Sequence, residues 1–312
     1  MPNLDFNPEK EIPSLEGKVI LITGGTAGLG YESAVSLAAH NAEHIFFTGR
    51  SQTSADKLLK EVHSKHPKSK ITFVQCDQTS LSSVQQAAQA ITSQTSRLDV
   101  VIANAGIMAQ PPAQTKEGYE IQFGTNHVAH ALLVKLLLPL LDQTAKQTSD
   151  VRVIWLTSLG YGFHPKGGIL FDKVQTNQAK IVWWSSFFGA WFRYGQSKLA
   201  NLLYARAFAK HHPNITSVAV HPGTAATGLV TNLPWTQRWF IYATTIGQLI
   251  PAEQCAWNQQ WAATTPKERL ENGKFYEPVG QTGRMMFEAP NEILAETLYD
   301  WTEKELERWT VS

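Results

Sequence analysis

A tyrosine and a lysine four residues apart carry the clearest chemical signal in the sequence. Tyr194 and Lys198 enclose the stretch Tyr-Gly-Gln-Ser-Lys, and residues at this spacing share one face of a helix. A phenol has an ordinary pKa of about 10, and a neighbouring cation lowers that pKa toward the range in which tyrosine exchanges protons. The pair therefore indicates acid–base chemistry, although this spacing alone is more often a packed tyrosine beside a surface lysine.

A glycine-rich turn, Thr-Gly-Gly-Thr-Ala-Gly-Leu-Gly at 23–30, lies between a predicted strand and a predicted helix. Glycines let the backbone approach a pyrophosphate closely, and the helix that follows directs unpaired N–H groups at the negative charge. Structural turns use glycine as well, so the motif is weak by itself. The strand before it and the helix after it favour dinucleotide binding.

The end of the second predicted strand distinguishes between two dinucleotides. In such folds an acidic residue about 20 positions after the glycines usually holds the adenosine ribose, whereas an arginine there accommodates a 2′-phosphate. Arg50 occupies this place, and no acidic residue lies between Phe46 and Ser51. The sequence therefore predicts NADP(H) rather than NAD(H), the alternative being that Arg50 is only a solvated surface charge.

Alternating apolar and amphipathic segments must position these residues. Short apolar runs predict strands at 18–23, 44–48, 71–75, 98–103, 151–157 and 216–221. Amphipathic stretches predict helices at 29–40, 55–66, 81–95, 118–141 (with Pro139 near its end) and 194–211. A last strand is predicted within 273–286, and a terminal helix at 292–308. This alternation is typical of a Rossmann-type α/β fold, a doubly wound parallel sheet with helices on both faces. No linker or repeat interrupts it, so residues 1–312 are predicted to form a single domain.

Two long aromatic segments interrupt the alternation at the predicted carboxyl edge of the sheet. An insertion at 159–193 and a lid at about 224–250 share many large rings, namely Trp183, Trp184, Phe187, Phe188, Trp191, Phe192, Trp235, Trp239, Phe240 and Tyr242. Open α/β sheets bind ligands at this edge, so the segments predict an apolar pocket for a bulky carbonyl or alcohol. The alternative for 183–192 is a membrane-surface or partner patch, but this stretch lacks the basic face of an interfacial helix.

Composition excludes several classes of protein. The 312 residues are 43% apolar and 17% charged, and 27 basic against 26 acidic residues give a net charge of +1, which provides no electrostatic footprint for nucleic acid. Cys76 and Cys255 are too few for a disulfide framework or a cysteine zinc site, and the histidines form no ligand motif, so no metal is predicted. Residues 1–17 carry charges and no apolar run, so no secretory signal is expected there, and Lys135 interrupts the most apolar stretch, 130–141. We expect a cytoplasmic protein without a membrane span.

Together with the Tyr–Lys pair, other motifs along the chain make the sequence resemble the short-chain dehydrogenase/reductase family. In family order, the matching positions are the turn at 23–30, Asp77, Asn104-Ala105-Gly106, Asn126, Ser158, YGQSK at 194–198, Pro222-Gly223 and Thr227. The match covers about residues 17–228. The stretch RYGQSKLAN, the long Ser–Tyr gap and the tail NGKFYEPVG resemble the retinol-dehydrogenase-like and fungal branches.

The resemblance implies a hydride-transfer site with assigned roles. Tyr194 is the expected general acid or base, Lys198 lowers its pKa and holds the nicotinamide ribose, Ser158 orients the substrate oxygen, and Asn126 holds a water in the proton path. The expected cofactor contacts, besides Tyr194 and Lys198, are Gly24, Thr26, Gly28, Leu29, Gly30, Arg50, Asp77, Gln78, Asn104, Ala105, Gly106, Pro222, Gly223 and Thr227. The resemblance also implies a homodimer or homotetramer.

Some of these assignments have alternatives. Asn126 is otherwise a structural helix residue, and Thr157 is a second candidate hydroxyl, although strand alternation places it on the opposite face from Ser158. The gap of 36 residues from Ser158 to Tyr194 exceeds that of the shorter family members, so the chain must loop out and return. The functional hypotheses are an NADP(H)-dependent oxidoreductase of a hydrophobic carbonyl or alcohol, a non-redox isomerase or cyclase, and a non-catalytic NADP-binding protein.

Overall fold

The computed structural model describes residues 5–182, 185–224, 228–231, 233–245 and 249–310. Its eight-stranded sheet has the order β3-β2-β1-β4-β5-β6-β7-β8. The strands are β1 (Val19–Ile22), β2 (His44–Gly49), β3 (Ile71–Gln75), β4 (Val100–Ala103), β5 (Arg152–Leu156), β6 (Thr216–Val220), β7 (Phe275–Glu277) and β8 (Gln281–Thr282). Strands β1 to β7 pair in parallel, and β8 pairs with β7 in the antiparallel sense.

Helices form most of the connections between the strands. They are α1 (Pro8–Glu11), α2 (Gly28–Ala38), α3 (Gln52–Lys65), α4 (Leu81–Thr92), α5 (Ile121–Phe123), α6 (Ala129–Thr148), α7 (Ser186–His211), α8 (Gly228–Thr231), α9 (Trp235–Thr244), α10 (Ala252–Thr264) and α11 (Glu292–Thr310). A π-helical turn (Gly124–Val128) joins α5 to α6, and 3-10 turns occupy Leu159–Phe163 and Lys267–Arg269.

The central strands are buried on both faces, which is why helices cover both. In β1, Val19 and Leu21 point into a core built with α4, α6, α7 and α11, whereas Ile20 and Ile22 point into a second core built with α2, α3 and α10. A continuous apolar run is the expected sequence of such a strand. The predicted doubly wound parallel α/β fold is confirmed.

The strand order reverses beside β1, and this reversal defines where ligands bind. The chain moves outward from β1 to β3 and returns to β4 on the other side of β1. In open α/β sheets the loops at the carboxyl ends separate at such a switch point and leave a cleft. The residues that follow β1, β4 and β5 therefore meet at one edge of the sheet.

Helices α7 and α6 extend beyond their predicted bounds by seven or more residues. Helix α7 begins at Ser186 rather than at 194, because the Ser185 hydroxyl caps it by accepting a hydrogen bond from the Phe188 N–H at 3.2 Å. Tyr194 therefore lies inside the helix, and the insertion loops out for fewer residues than predicted. Helix α6 continues past 141 to Thr148 with Pro139 inside it. Pro139 is exposed, so the backbone carbonyl that it leaves unbonded can meet water.

The continuous helical stretch Ile121–Thr148 is long and apolar enough, by length and composition, to cross a membrane. Of its most apolar window, 61% is buried inside the protein. Leu132, Leu133 and Leu137 on this stretch belong to the core that includes α4, α7 and α11. These three leucines are therefore buried against the sheet and its helices.

Candidate active site

The glycine turn after β1 is folded against the loop that follows β4. Gly24 has a φ of +67°, a left-handed conformation that glycine adopts without strain. A Cβ atom on Gly24 would lie 2.9 Å from the Ala105 Cα, and one on Gly30 would lie 2.4 Å from the Gly24 carbonyl oxygen. The close approach therefore requires glycine at both positions. It leaves a narrow backbone cradle at the carboxyl edge of the sheet.

Helix α2 starts directly at this turn without a side-chain cap. Its N-cap residue is Ala27, whose side chain makes no capping hydrogen bond. The first N–H groups of a helix need partners from outside the helix and carry partial positive charge. Gly28, Leu29 and Gly30, predicted to contact the cofactor, supply amides of this first turn, which suits an anionic phosphate.

Thr23 joins the turn to the 104–106 loop. Its hydroxyl accepts hydrogen bonds from the N–H groups of Asn104 and Ala105, both at 2.9 Å. The Asn104 side chain in turn donates to the Thr23 carbonyl at 2.7 Å. Two segments distant in sequence are thereby held as one wall of the cleft.

Arg50 lies at the end of β2, next to the same turn. A Cβ atom on Gly49 would lie 2.5 Å from the Thr26 methyl group, so the turn packs against the strand end that presents Arg50. Arg50 is exposed, and its carbonyl accepts from the Gln75 side chain at 3.2 Å. A contact of its guanidinium group with a 2′-phosphate stays a prediction.

Asp77 and Gln78 follow β3 at the neighbouring edge position. The Asp77 carboxylate accepts from the Thr79 N–H at 3.0 Å and the Thr79 hydroxyl at 2.8 Å. Gln78 is buried and donates to the Thr125 carbonyl at 3.4 Å. Both residues follow β3 at the carboxyl edge of the sheet, and their contact with adenine stays a prediction.

Asn126 lies in the π-helical turn, a rare conformation that is frequent at functional sites. Its side-chain oxygen accepts from the Ile107 N–H at 2.8 Å, and its amide nitrogen donates to the Ile107 carbonyl at 3.0 Å and the Ser197 hydroxyl at 2.9 Å. Asn126 thus ties the 104–106 loop to α7. Its role in holding a water stays a prediction.

Ser158 and Tyr194 converge although 36 residues separate them. A Cβ atom on Gly160 would lie 3.0 Å from Tyr194 Cε1 and 3.3 Å from Ser158 Oγ. Burial raises the pKa of Tyr194 to about 12, and a hydrogen bond with the Ser158 side chain opposes part of this rise. Thr157, the other candidate hydroxyl, is turned away and donates to the Lys198 carbonyl at 2.7 Å.

Lys198 is buried beside the same group of side chains. Its Nζ lies 5.9 Å from the centre of the Tyr194 ring, donates to the Leu156 carbonyl at 3.1 Å, and would lie 3.4 Å from a Cβ atom on Gly106. Burial lowers the pKa of Lys198 to about 8. An ammonium group held this close to a phenol is suited to stabilising the deprotonated phenol.

His130 connects the site in a way that the sequence did not indicate. This fully buried histidine has Nδ1 2.8 Å from the Asn126 carbonyl and Nε2 2.7 Å from the Thr23 hydroxyl. Burial lowers its pKa to about 4, so the ring is neutral. Because the carbonyl can only accept, Nδ1 carries the proton and Nε2 accepts from Thr23.

The last of the residues predicted to contact the cofactor lie after β6. Pro222 and Gly223 are half-buried at the end of that strand, and Gly223 has a φ of +89°. Thr227 lies outside the described residues, as do Trp183 and Trp184. His221, which precedes Pro222, is buried, and its carbonyl accepts from the Asn258 side chain at 2.7 Å.

The aromatic residues of the insertion and of α9 form one cluster next to Tyr194. The Phe240 ring lies 5.7 Å from the Phe163 ring, 5.4 Å from Phe187 and 5.1 Å from Trp191, measured between ring centres. The Trp191 ring centre is 6.1 Å from that of Tyr194.

The predicted lid residues divide between two faces of α9. Trp235 is 72% exposed and Trp239 is 67% exposed, and Tyr242 also faces solvent, whereas Phe240 turns inward. Of these four rings, Phe240 packs into the aromatic cluster, and the pocket that they were predicted to line stays a prediction.

Comparison with known proteins decides the family. The profile described as "short chain dehydrogenase" matches residues 18–166. The short-chain dehydrogenase/reductase drtF of Aspergillus calidoustus is 32% identical over 95% of this chain and 96% of its own length. The chain belongs to the short-chain dehydrogenase/reductase family. An uncharacterized oxidoreductase of Schizosaccharomyces pombe is 35% identical and covers 97% of this chain and 88% of its own length.

The similarity extends to both predicted branches and to a solved structure. Retinol dehydrogenase 11 of mouse is 30% identical over 92% of this chain and 85% of its own length. The crystal structure of an uncharacterized protein from Mycobacterium paratuberculosis superposes with a TM-score of 0.70 at 25% identity and covers 96% of each chain. The predicted resemblance to the fungal and retinol-dehydrogenase-like members of this dehydrogenase/reductase family is confirmed.

Proposed function

We propose that the protein is an NADP(H)-dependent oxidoreductase that interconverts a carbonyl and an alcohol on a bulky hydrophobic substrate. The observation that carries this proposal is the convergence of the Tyr194 phenol with the Ser158 side chain, with the Lys198 ammonium group alongside. All three lie next to the cleft bounded by the glycine turn and the 104–106 loop. A proton donor beside a dinucleotide cleft is the arrangement that carbonyl reduction requires.

The residues present fit a nicotinamide dinucleotide. A Cβ atom at Gly30 would fill the backbone cradle, and the uncapped start of α2 offers amides for a pyrophosphate. Lys198 and the 104–106 loop border the position expected for the nicotinamide ribose. When bound, the nicotinamide supplies or takes up the hydride, and the protein contributes orientation and electrostatics.

Tyr194 is assigned the proton transfer. Because burial raises its pKa to about 12, the phenol is protonated at neutral pH and can donate to the oxygen of a carbonyl that is being reduced. Charge on Lys198 then stabilises the phenoxide that is left. The Ser158 hydroxyl orients the substrate oxygen and stabilises its developing negative charge by a hydrogen bond.

The preference for NADP(H) is assigned to Arg50. Its exposed guanidinium group, at the strand end against which the glycine turn packs, can pair with a 2′-phosphate. A bulky hydrophobic substrate is proposed because the cluster that contains Tyr194 also contains Trp191, Val230 and Ile241. The name of the mouse relative, which refers to retinol, points to the same class of apolar alcohol.

The test is turnover of purified protein on a panel of bulky ketones and aldehydes. We expect the protein to consume NADPH in step with alcohol formation, and to use NADH less well. Tyr194→Phe should lower kcat by about 10²- to 10⁴-fold, the range typical of general acid catalysis, and leave the Kd for NADPH within about twofold. Tyr161→Phe is the matched control, since Tyr161 is also buried but its hydroxyl bonds the Met286 N–H.

Three outcomes would contradict the proposal. Product formation without net consumption of cofactor would indicate an isomerase or cyclase. Tight NADPH binding with no turnover across the panel would indicate a non-catalytic protein. Retention of most activity in Tyr194→Phe would remove that phenol from its assigned role.

A further inference from the structure

Arg193, the residue directly before Tyr194 on α7, is a buried charge that the proposed chemistry does not use. It is 1% exposed. Its Nε lies 3.4 Å from Oε1 of Glu120, and the side chain of Glu120 is also completely buried. Removing two charges from water is costly, and the mutual attraction often only offsets that cost. A buried ion pair in this position therefore calls for a reason other than stability.

The same guanidinium group contacts two further segments. One terminal nitrogen donates to the Gln110 carbonyl at 2.9 Å, and the other donates to the Gln178 carbonyl at 3.4 Å. Gln110 belongs to the segment that follows β4 and the 104–106 loop. Gln178 belongs to the insertion between Ser158 and α7. One side chain thus joins the helix of Tyr194 to the segment after β4 and to the insertion.

Glu120 links this junction to the turn that carries Asn126. Its second carboxylate oxygen accepts from the Phe123 N–H at 2.7 Å and caps α5. Helix α5 leads directly into the π-helical turn that contains Asn126. Burial raises the pKa of Glu120 to about 7, and the positive charge of Arg193 opposes this rise.

Neighbouring amide side chains make the same connections. Gln122 on α5 donates to the Ala190 carbonyl on α7 at 3.1 Å. Gln196, two residues after Tyr194, donates to the Gln178 side chain at 3.2 Å and accepts from the Leu170 N–H at 2.9 Å. The turn of α7 that presents the phenol is therefore held from both sides by directional bonds.

We propose that Arg193 is a positioning residue, which through Glu120, Gln110 and Gln178 sets the placement of Tyr194 relative to Asn126 and the insertion. This inference rests on the proposed function for its consequence in catalysis. The geometric part, that Arg193 orders this turn of α7, is independent of any substrate.

The first test replaces the arginine with an unbranched apolar side chain that lacks the guanidinium group. We expect Arg193→Met to lower kcat about 10- to 100-fold, since small misplacements of a reacting group have effects of this size. The Kd for NADPH should change less than twofold, because Arg193 bonds Glu120, Gln110 and Gln178 and none of these belongs to the glycine turn. This variant leaves Glu120 buried without its partner and is expected to be less stable.

A double variant separates positioning from stability. Glu120→Gln with Arg193→Met removes both charges and is expected to recover the melting temperature of the wild type. If Arg193 positions Tyr194, kcat stays low in the double variant. Arg193→Lys keeps the charge but not the fork of donors and should show an intermediate kcat.

Arg152 provides a matched control. It is also a buried arginine, held by Asp150 at 2.8 and 2.9 Å and by the Ala262 carbonyl at 2.9 Å, but it lies at the amino end of β5. Arg152→Met should lower stability and leave kcat of the folded enzyme within about twofold, as expected for a charge outside the site.

Hydrogen–deuterium exchange gives a readout that does not depend on activity. Peptides covering 186–200 should exchange faster in Arg193→Met and in the double variant, and at the wild-type rate in Arg152→Met. The inference is overturned if exchange in 186–200 is unchanged, or if the double variant recovers both stability and kcat. An inactive wild-type protein would instead contradict the proposed function, and the exchange result would still decide the placement of α7.

Discussion

Polar contacts dominate around the glycine turn, whereas ring contacts dominate around α9. At the turn, Thr23 alone holds Asn104, Ala105 and His130 through bonds of 2.7 to 2.9 Å. At α9, Phe240 meets its neighbours through ring centres 5.1 to 6.1 Å apart in tilted or edge-on arrangements. Hydrogen bonds are directional, while aromatic packing tolerates several geometries. The first region is thus suited to fixing one reaction geometry, and the second to accepting substrates of varied shape.

The largest effect on the polar region around the glycine turn is expected from a substitution at Gly30. In Gly30→Ala the new methyl carbon would lie 2.4 Å from a backbone oxygen of the same turn, so the turn must shift. Overpacking of this kind costs about 1–3 kcal/mol. We expect the Kd for NADPH and for NADH to rise together by about 10- to 100-fold, measured by calorimetry. Unchanged affinity for both would show that the turn is more adaptable than its hydrogen bonds suggest.

Arg50→Asp tests whether the polar region also selects the dinucleotide. A charge-assisted hydrogen bond is worth about 1.5–3 kcal/mol, and the new carboxylate would repel a 2′-phosphate. The ratio of kcat/KM for NADPH to that for NADH should fall by at least about tenfold, mainly through NADPH. An unchanged ratio would assign the preference to another residue.

Phe240→Ala is expected to have the smallest effect and to act on the other region. Loss of the ring removes contacts with Phe163, Phe187 and Trp191, so KM for bulky substrates should change by about three- to tenfold, consistent with partial loss of apolar contact. The Kd for NADPH should not change. Trp239→Ala is the control on the same helix, because its ring is 67% exposed; an equal effect there would contradict the assignment of Phe240 to the pocket.

Strands and motif residues were the predictable part of the structure. A strand buried on both faces is apolar throughout, so the run at 18–23 contains β1 (Val19–Ile22), whose four residues are all buried. The convergence of Ser158 with Tyr194 followed from a motif set whose order along the chain fits one fold. The early start of α7 did not follow, since four of the eight residues 186–193 are aromatic and one is glycine, which are weak helix formers. The Ser185 cap fixes where the helix begins.

Buried amides and distant partners were the unpredictable part. Helix α10 was missed because Asn258, Gln259 and Gln260 are buried on it, so its sequence shows no apolar stripe. Their partners lie far along the chain; Gln259, for example, donates to the Ser33 hydroxyl at 2.7 Å. The Arg193–Glu120 pair was equally hidden, because each residue by itself reads as a surface charge.

The uncapped start of α2 has a consequence for the stability of the folded protein as well as for the binding of a dinucleotide. Backbone amides that no side chain caps form hydrogen bonds with water or with a bound anion. A dinucleotide that binds the native chain and not the unfolded one shifts the folding equilibrium by mass action. Resistance to heat and to proteases is then expected to rise with the concentration of the dinucleotide.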